Sequence, residues 1–130
     1  MPLSYHWNSN SLQIVCQGSV HLLCADDARY PWALAALSQS EQAVVNILAG
    51  DVPVFPEQNV PWLVQALEEG QDPTDGNAWE TVDEFDDCVR ACTLAGEYLL
   101  LNGTAQDVRV LNEAGLEVYR LSRSIALAQH

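Results

Sequence analysis

The sequence predicts a single α+β domain over residues 1–130, with three to four helices packed on one face of an antiparallel sheet. Three observations lead to this class. Strand-like segments occupy both ends of the chain, helix-like segments lie between them, and 48% of the residues are hydrophobic. Strands segregated from helices are typical of α+β folds, and this length suffices for a two-layer core. The sheet is expected to combine an N-terminal hairpin with a C-terminal three-stranded meander.

The first predicted element is a β-hairpin over residues 12–24. Gly18-Ser19 suits a two-residue type II′ turn, because glycine accepts the positive φ that the first turn position requires. In that register Cys16 faces His21 across the hairpin. Cys24 then points to the opposite face of the sheet from Cys16, so these two thiols are not expected to form a disulfide.

Residues 31–50 have a helical pattern with two starts. Pro31 fits the first turn of a helix, where its missing N–H costs nothing. A second start lies at Ser38, which forms a capping box with Glu41. Gly50 is expected to end this segment, since glycine adopts the left-handed conformation common at helix ends.

Two further helices are predicted before residue 97. Asn59 can cap the third helix, and Gly70 is expected to end it. Its apolar residues recur at i, i+3, i+4 and i+7, which predicts one buried face. That face consists of Val60, Leu63, Val64 and Leu67. A capping box of Thr81 with Glu84 opens the fourth helix, which is expected to end at Gly96.

The C-terminal part predicts a meander followed by a short helix. The segments are residues 97–102, 107–112, 116–122 and, for the terminal helix, 122–130. Gly115 suits the left-handed position of a three-residue loop. The expected register pairs Val110 with Val118, which avoids placing Arg109 opposite Arg120.

The chain is strongly acidic, with a formal charge of −13, five arginines and no lysine. Such a surface repels nucleic acids and anionic membranes, both of which attract proteins mainly through positive side chains. The absence of lysine excludes Schiff-base chemistry and phosphate-binding loops that depend on a lysine. We expect a non-catalytic protein without a cofactor. A metal site is not expected either, because the spacing from Asp72 to Glu84 does not match the pattern of a calcium-binding loop.

The predicted compartment is the cytoplasm. The first ten residues lack the apolar run of a signal peptide, and no apolar segment is long enough to span a bilayer. The four cysteines are Cys16, Cys24, Cys88 and Cys92, and in that compartment they are expected to be reduced thiols.

The main functional signal is an acidic stretch over residues 68–87, which we call the acidic segment. It contains half of the eighteen acids of the chain and no Arg or Lys. Its acids are Glu68, Glu69, Asp72, Asp75, Glu80, Asp83, Glu84, Asp86 and Asp87. Clustered acids accelerate encounters with a basic partner, and tryptophan is a frequent interface anchor. The sequence therefore predicts a module that presents an acidic helix to a basic protein surface. The expected contact residues are Glu68, Glu69, Trp79, Asp83, Glu84, Asp86 and Asp87.

Three other interpretations stay open. The charge can serve solubility alone, and part of it can serve as helix caps. A Cys16–His21 dyad would suit a small-ligand or metal-binding domain or a minor enzyme, because a thiolate needs an adjacent base or cation. A homodimer could bury a sheet edge or a patch formed by Trp62 and Trp79.

One segment invites a family comparison. Residues 37–50 resemble the opening helix of LuxR-type helix-turn-helix domains, with a Leu-Ser-x-Ser-Glu start and a closing glycine. The following residues 51–61 contain three prolines, two acids and no Arg or Lys. Because DNA recognition needs cationic contacts to phosphate, the resemblance implies no DNA-binding function for this chain.

Overall fold

The computed structural model describes residues 3–8, 10–55 and 57–123. The strands are β1 (Ser4–Trp7), β2 (Ser11–Cys16), β3 (Ser19–Cys24), β4 (Trp62–Glu68), β5 (Trp79–Phe85), β6 (Ala105–Leu111) and β7 (Glu117–Ser122). The helices are α1 (Tyr30–Ala36), α2 (Glu41–Leu48) and α3 (Cys88–Leu101). No helix in these ranges is both long and apolar enough to cross a bilayer. The terminal helix expected over residues 122–130 falls almost wholly outside the described residues.

The α+β class is confirmed, but the strands form two antiparallel sheets instead of one. The first sheet has the order β1-β2-β3 and the second has the order β5-β4-β6-β7. Helix α3 packs on β4 and β6, and one buried cluster joins both sheets with the helices. A Cβ atom at Gly96 would lie 3.4–3.7 Å from side chains of Leu34, Trp7 and Leu121. The helix therefore passes closely between the two sheets.

The N-terminal hairpin exists, but its turn lies one residue earlier than expected. Gln17 and Gly18 both have positive φ, 53° and 79°, which indicates a type I′ turn. Cys16 therefore pairs with Ser19, and His21 pairs with Ile14. Each residue pairs two positions away from its predicted partner, so every side chain lies on the same face of the sheet as predicted. The prediction that Cys16 faces His21 is wrong, whereas the prediction that Cys16 and Cys24 point to opposite faces is confirmed.

Helix α2 begins at Glu41, and its cap is Ser40 rather than Ser38. The Ser40 hydroxyl accepts a hydrogen bond from the Ala43 N–H at 3.0 Å. The Ser38 hydroxyl instead donates to the Ala35 carbonyl, because α1 ends just before it. Gly50 closes the segment with φ of 103°, as predicted.

The segment expected to form a helix after Asn59 is the central strand β4. Its burial alternates, with Trp62, Val64 and Ala66 buried against the helical layer. Leu67 is also fully buried, on the opposite face of the sheet. Because β4 has buried side chains on both faces, its sequence is an almost continuous apolar run, which sequence periodicity does not distinguish from a helix.

The helix expected over residues 81–96 begins only at Cys88. Asp87 is its cap, accepting from the Val89 N–H at 3.1 Å, and Thr81 lies in strand β5. The helix then continues through Gly96 and takes up residues 97–101, which were expected to form a strand. The Arg123 guanidinium donates to the carbonyls of Leu99 and Asn102 at its C-terminal end.

The register of the β6–β7 hairpin also differs from the prediction. Val110 pairs with Tyr119 rather than Val118, and Arg109 lies directly opposite Arg120. Trp79 makes this arrangement possible, because the two guanidinium carbons lie 4.1 Å and 5.1 Å from its ring centroid. Gly115 has the predicted positive φ, 79°.

Candidate functional site: the acidic edge of the second sheet

The acidic segment follows one edge of the four-stranded sheet. It runs from the last residue of β4 through a loop, along the edge strand β5, and up to the cap of α3. All nine of its acidic residues are exposed. The expectation of an acidic helix is therefore wrong, because Glu80, Asp83 and Glu84 lie on a strand and Asp86 precedes α3.

Four of these carboxylates have a local structural role. Asp72, Asp75 and Asp87 accept from the N–H two residues ahead, at 2.9–3.1 Å, and Asp83 accepts from the Glu84 N–H. The backbone and side-chain hydrogen bonds from Thr74 lower the pKa of Asp72. The other five carboxylates have no hydrogen bond or ion pair with any described residue. They are Glu68, Glu69, Glu80, Glu84 and Asp86.

None of the described guanidinium groups forms an ion pair with the acidic segment. Arg29 pairs with Asp27 at 2.9 Å, and Arg120 pairs with Asp107 at 2.8 Å and with Glu117 at 3.6 Å. The remaining three contact other groups. Arg123 binds backbone carbonyls, Arg109 donates to Gln65, and Arg90 lies over the Phe85 ring. The negative charge along this edge is therefore not neutralised by the described residues.

Trp79 does not provide the exposed ring expected beside the carboxylates. Its relative exposure is 6%, and its indole N–H donates to the Pro73 carbonyl at 3.0 Å. Arg109 and Arg120 cover the ring on the outer face of the sheet. Trp62 is 3% exposed and belongs to the main core. Both tryptophans therefore serve packing, and neither is available as an anchor.

An apolar groove lies where the acidic segment meets α3, and the sequence analysis did not predict it. The cavity measures about 380 Å³ and lies between the loop around Phe55 and the start of α3. Val54, with 89% exposure, lines it together with Phe55. Glu57, Asp86 and Asp87 add carboxylates to the same cavity. The only signal in the sequence is an apolar pair between prolines in a loop.

Cys16 and His21 share a small cavity of about 300 Å³ between the hairpin and α2. The arrangement does not favour a thiolate. Burial raises the pKa of the Cys16 thiol, and the negative charge of Glu41 raises it further. The thiol lies 3.9 Å from a Glu41 carboxylate oxygen, to which it can donate. The Glu41 carboxylate thus opposes formation of the thiolate that a Cys–His dyad would need.

We expect Cys24, rather than Cys16, to react first with iodoacetamide at neutral pH. Cys24 is exposed, while Cys16, Cys88 and Cys92 are buried. Mass spectrometry of peptides after timed alkylation would measure the four rates. Labelling of Cys16 ahead of Cys24 would contradict this account of the site and would support a reactive dyad.

The described residues contain no group of three or more His, Cys, Asp or Glu side chains that could hold a metal ion. Comparison of the chain with protein-family models, curated proteins and solved structures gives no match. The geometry and charge of the chain itself are therefore the basis for a functional proposal.

Proposed function

We propose that this protein is a non-catalytic cytoplasmic binding module that presents its acidic edge to a basic surface of another protein. The observation that supports this is the row of nine exposed acids without an ion pair to any described guanidinium. The contact residues would be Glu68, Glu69, Asp83, Glu84, Asp86 and Asp87. Trp79 would support the edge from beneath rather than contact the partner.

Electrostatic attraction is the expected driving force. Unneutralised carboxylates along an edge strand raise the encounter rate with a lysine- or arginine-rich surface and disfavour acidic competitors. Charges at the rim of an interface add little affinity alone, so a bound complex also needs apolar contact. The groove at Phe55, with Asp86 and Asp87 in its lining, can accept an apolar side chain next to a cationic one.

A structural role for the same charges leads to a different expectation. Charged side chains on an edge strand prevent pairing with strands of other molecules. If that were their whole role, neutralising Glu84 on β5 together with the adjacent Asp86 would promote aggregation and would leave the bound partners unchanged. A comparison of bound partners with the aggregation state of each variant therefore separates the two roles.

Capture from cell extract at increasing NaCl concentrations tests the proposal. We expect the wild-type protein to retain a basic partner at low salt and to release it as salt rises, because salt screens exposed charges. The double variant Glu84→Gln/Asp86→Asn should retain at most about a tenth as much partner as the wild type at low salt. Neither side chain accepts a hydrogen bond from a described residue, so the change is expected to leave the fold intact. Quantitative mass spectrometry of the eluates gives the measurement.

The matched control is Asp51→Asn/Glu113→Gln, which changes the net charge equally at two exposed positions outside the acidic segment. The control should retain the partner at nearly the wild-type level. Equal losses in both variants would show that total charge matters and that this edge does not. A partner held equally well at high salt would also contradict the proposal.

A further inference from the structure

The first sheet contrasts with the rest of this acidic molecule because it carries no Asp, Glu, Lys or Arg. None of these residues occurs among positions 1–25, in a chain with a formal charge of −13. Strands β1, β2 and β3 all lie within that segment. The strands of this sheet therefore add no side-chain carboxylate that would repel a second copy of this acidic chain.

Strand β3 is an open edge of this sheet, with β2 as its one neighbour. In a two-residue hairpin the two residues that flank the turn exchange backbone hydrogen bonds, so Ser19 bonds to β2. Along β3, every second residue from Ser19 then bonds to β2, and the residues between them do not. Val20, Leu22 and Cys24 consequently direct their backbone N–H and C=O groups away from β2. The Cys24 carbonyl accepts from the Asp27 N–H, and the other outward groups are available for a further strand.

The same three positions share the outer face of the sheet and form an apolar patch. Val20 and Leu22 are each 63% exposed, and Val15, paired with Val20, is 37% exposed. The two edges of the second sheet differ. Edge strand β5 carries three acids, and β7 carries Glu117 and Arg120. Charges on an edge strand prevent strand addition, and β3 has none.

We propose that two copies of this chain associate by antiparallel pairing of their β3 strands around a two-fold axis. The result would be one six-stranded sheet. Centred on Leu22, this pairing sets Leu22 against Leu22 of the second copy and Val20 against Cys24. A two-fold axis perpendicular to the sheet keeps both apolar patches on one face, where they become continuous.

A second copy fits this edge better than a charged partner does. The surface offers no charge to select a basic protein, while an edge strand with outward N–H and C=O groups is complementary to its own copy. A dimer through tryptophans has no support, because all four tryptophans are buried. Pairing of six residues is a small interface, so we expect a reversible, concentration-dependent dimer.

Sedimentation equilibrium at pH 7.5 over a range of protein and NaCl concentrations tests the inference. The wild-type chain of 14.3 kDa should form dimers of twice that mass. Their population should increase with salt, because salt screens the repulsion between two acidic molecules. Salt is thus expected to strengthen the dimer and to weaken the capture of a basic partner. Because the two salt dependences have opposite signs, the failure of one proposal can be distinguished from the failure of the other.

Leu22→Glu places a carboxylate at the two-fold axis and should weaken dimerisation by about tenfold or more. Leu116→Glu is the matched control, because Leu116 is also 63% exposed, lies outside the first sheet and undergoes the same charge change. Leu22→Thr, which keeps strand propensity, should weaken the dimer less strongly and guards against misfolding of the glutamate variant. Circular dichroism checks the fold of each variant.

Loss of the dimer in Leu22→Glu with retention in Leu116→Glu would support pairing through β3. A wild-type monomer at all salt and protein concentrations would overturn it. Equal effects of the two glutamate variants would also overturn it, because the interface would then depend on net charge or on another surface.

Discussion

Replacing Asp107 by Ala is expected to lower the free energy of unfolding by about 2–3 kcal/mol. Asp107 is 6% exposed, and its carboxylate accepts from the Arg120 guanidinium at 2.8 Å and 3.0 Å and from the Ser122 hydroxyl. Without it, Arg120 would lie opposite Arg109 with Glu117 as its remaining ion pair. We place the loss below that of a fully buried pair, because the Arg120 side chain is 37% exposed. Urea unfolding of each variant measures the change.

Two further variants show whether this loss comes from the unpaired charge. Asp51→Ala removes an exposed carboxylate and should change stability by less than about 0.5 kcal/mol. The double variant Asp107→Leu/Arg120→Met removes both charges and should recover most of the loss, because an apolar pair leaves no buried group unpaired. A double variant that is less stable than Asp107→Ala would contradict this explanation of the cluster around Trp79.

The protein is expected to lose stability steeply above pH 10. Burial raises the pKa of Tyr30 to about 12, and it raises that of Tyr119 well above the usual value. A tyrosine whose pKa is higher in the folded state than in the unfolded state makes its full contribution to stability below pH 10, which is the pKa in the unfolded state. That contribution disappears as pH rises from about 10 to 12, and for Tyr30 alone it is on the order of 1–2 kcal/mol after a discount for solvent screening. Urea midpoints between pH 8 and pH 12 measure this loss.

The two tyrosines should respond in opposite ways to replacement by Phe at pH 8. The Tyr30 hydroxyl accepts from the Trp7 indole at 3.0 Å and donates to the Asn8 carbonyl, so Tyr30→Phe should cost about 1–2 kcal/mol. The Tyr119 hydroxyl is buried without a hydrogen-bond partner in the described ranges, so Tyr119→Phe should be neutral or stabilising by about 1 kcal/mol.

Tyr30→Phe should also flatten the decline in stability between pH 10 and 12, because the replacement does not ionise. A pH profile of this variant that parallels the wild-type profile would show that Tyr30 is not a source of the alkaline loss. A Tyr119→Phe variant less stable than wild type would show that the Tyr119 hydroxyl has a partner that the described contacts lack.

The sequence predicted the fold class and the N-terminal hairpin because these depend on local signals. Glycine turns and alternating apolar residues specify a hairpin within a few residues. The turn type was wrong because Gln17 adopts a positive φ, which is uncommon for a residue other than Gly, Asn or Asp. The two-residue change in pairing did not alter which side chains face the core.

The central part of the chain could not be predicted in the same way, because tertiary contacts decide it. Strand β4 has buried side chains on both faces and lies between β5 and β6, so its apolar run fits a helix equally well. Helix α3 continues through Gly96 because Trp7, Leu34 and Leu121 pack against that position. Neither neighbour relationship is visible in a local pattern.

The charge of the candidate site could be predicted from the sequence, but the strand that carries it and the side chains packed beneath it could not. Composition alone identifies the acidic segment and shows how few cations are available. Its position on an edge strand follows from β5 pairing with β4. The prediction that Arg109 would not lie opposite Arg120 was wrong, because the Trp79 ring stabilises both guanidinium groups. Trp79 comes from a strand far away in sequence, so a local pattern does not show this contact.

Negative electrostatic potential is expected to concentrate along residues 68–87 of this protein. NMR relaxation of the backbone amides with cationic and anionic nitroxide probes measures the local potential near each residue. We predict the strongest preference for the cationic probe along the loop before β5 and along β5 itself, and nearly equal effects of both probes at Val20 and Leu22. A uniform preference over the whole surface, or a maximum outside the acidic segment, would contradict the account.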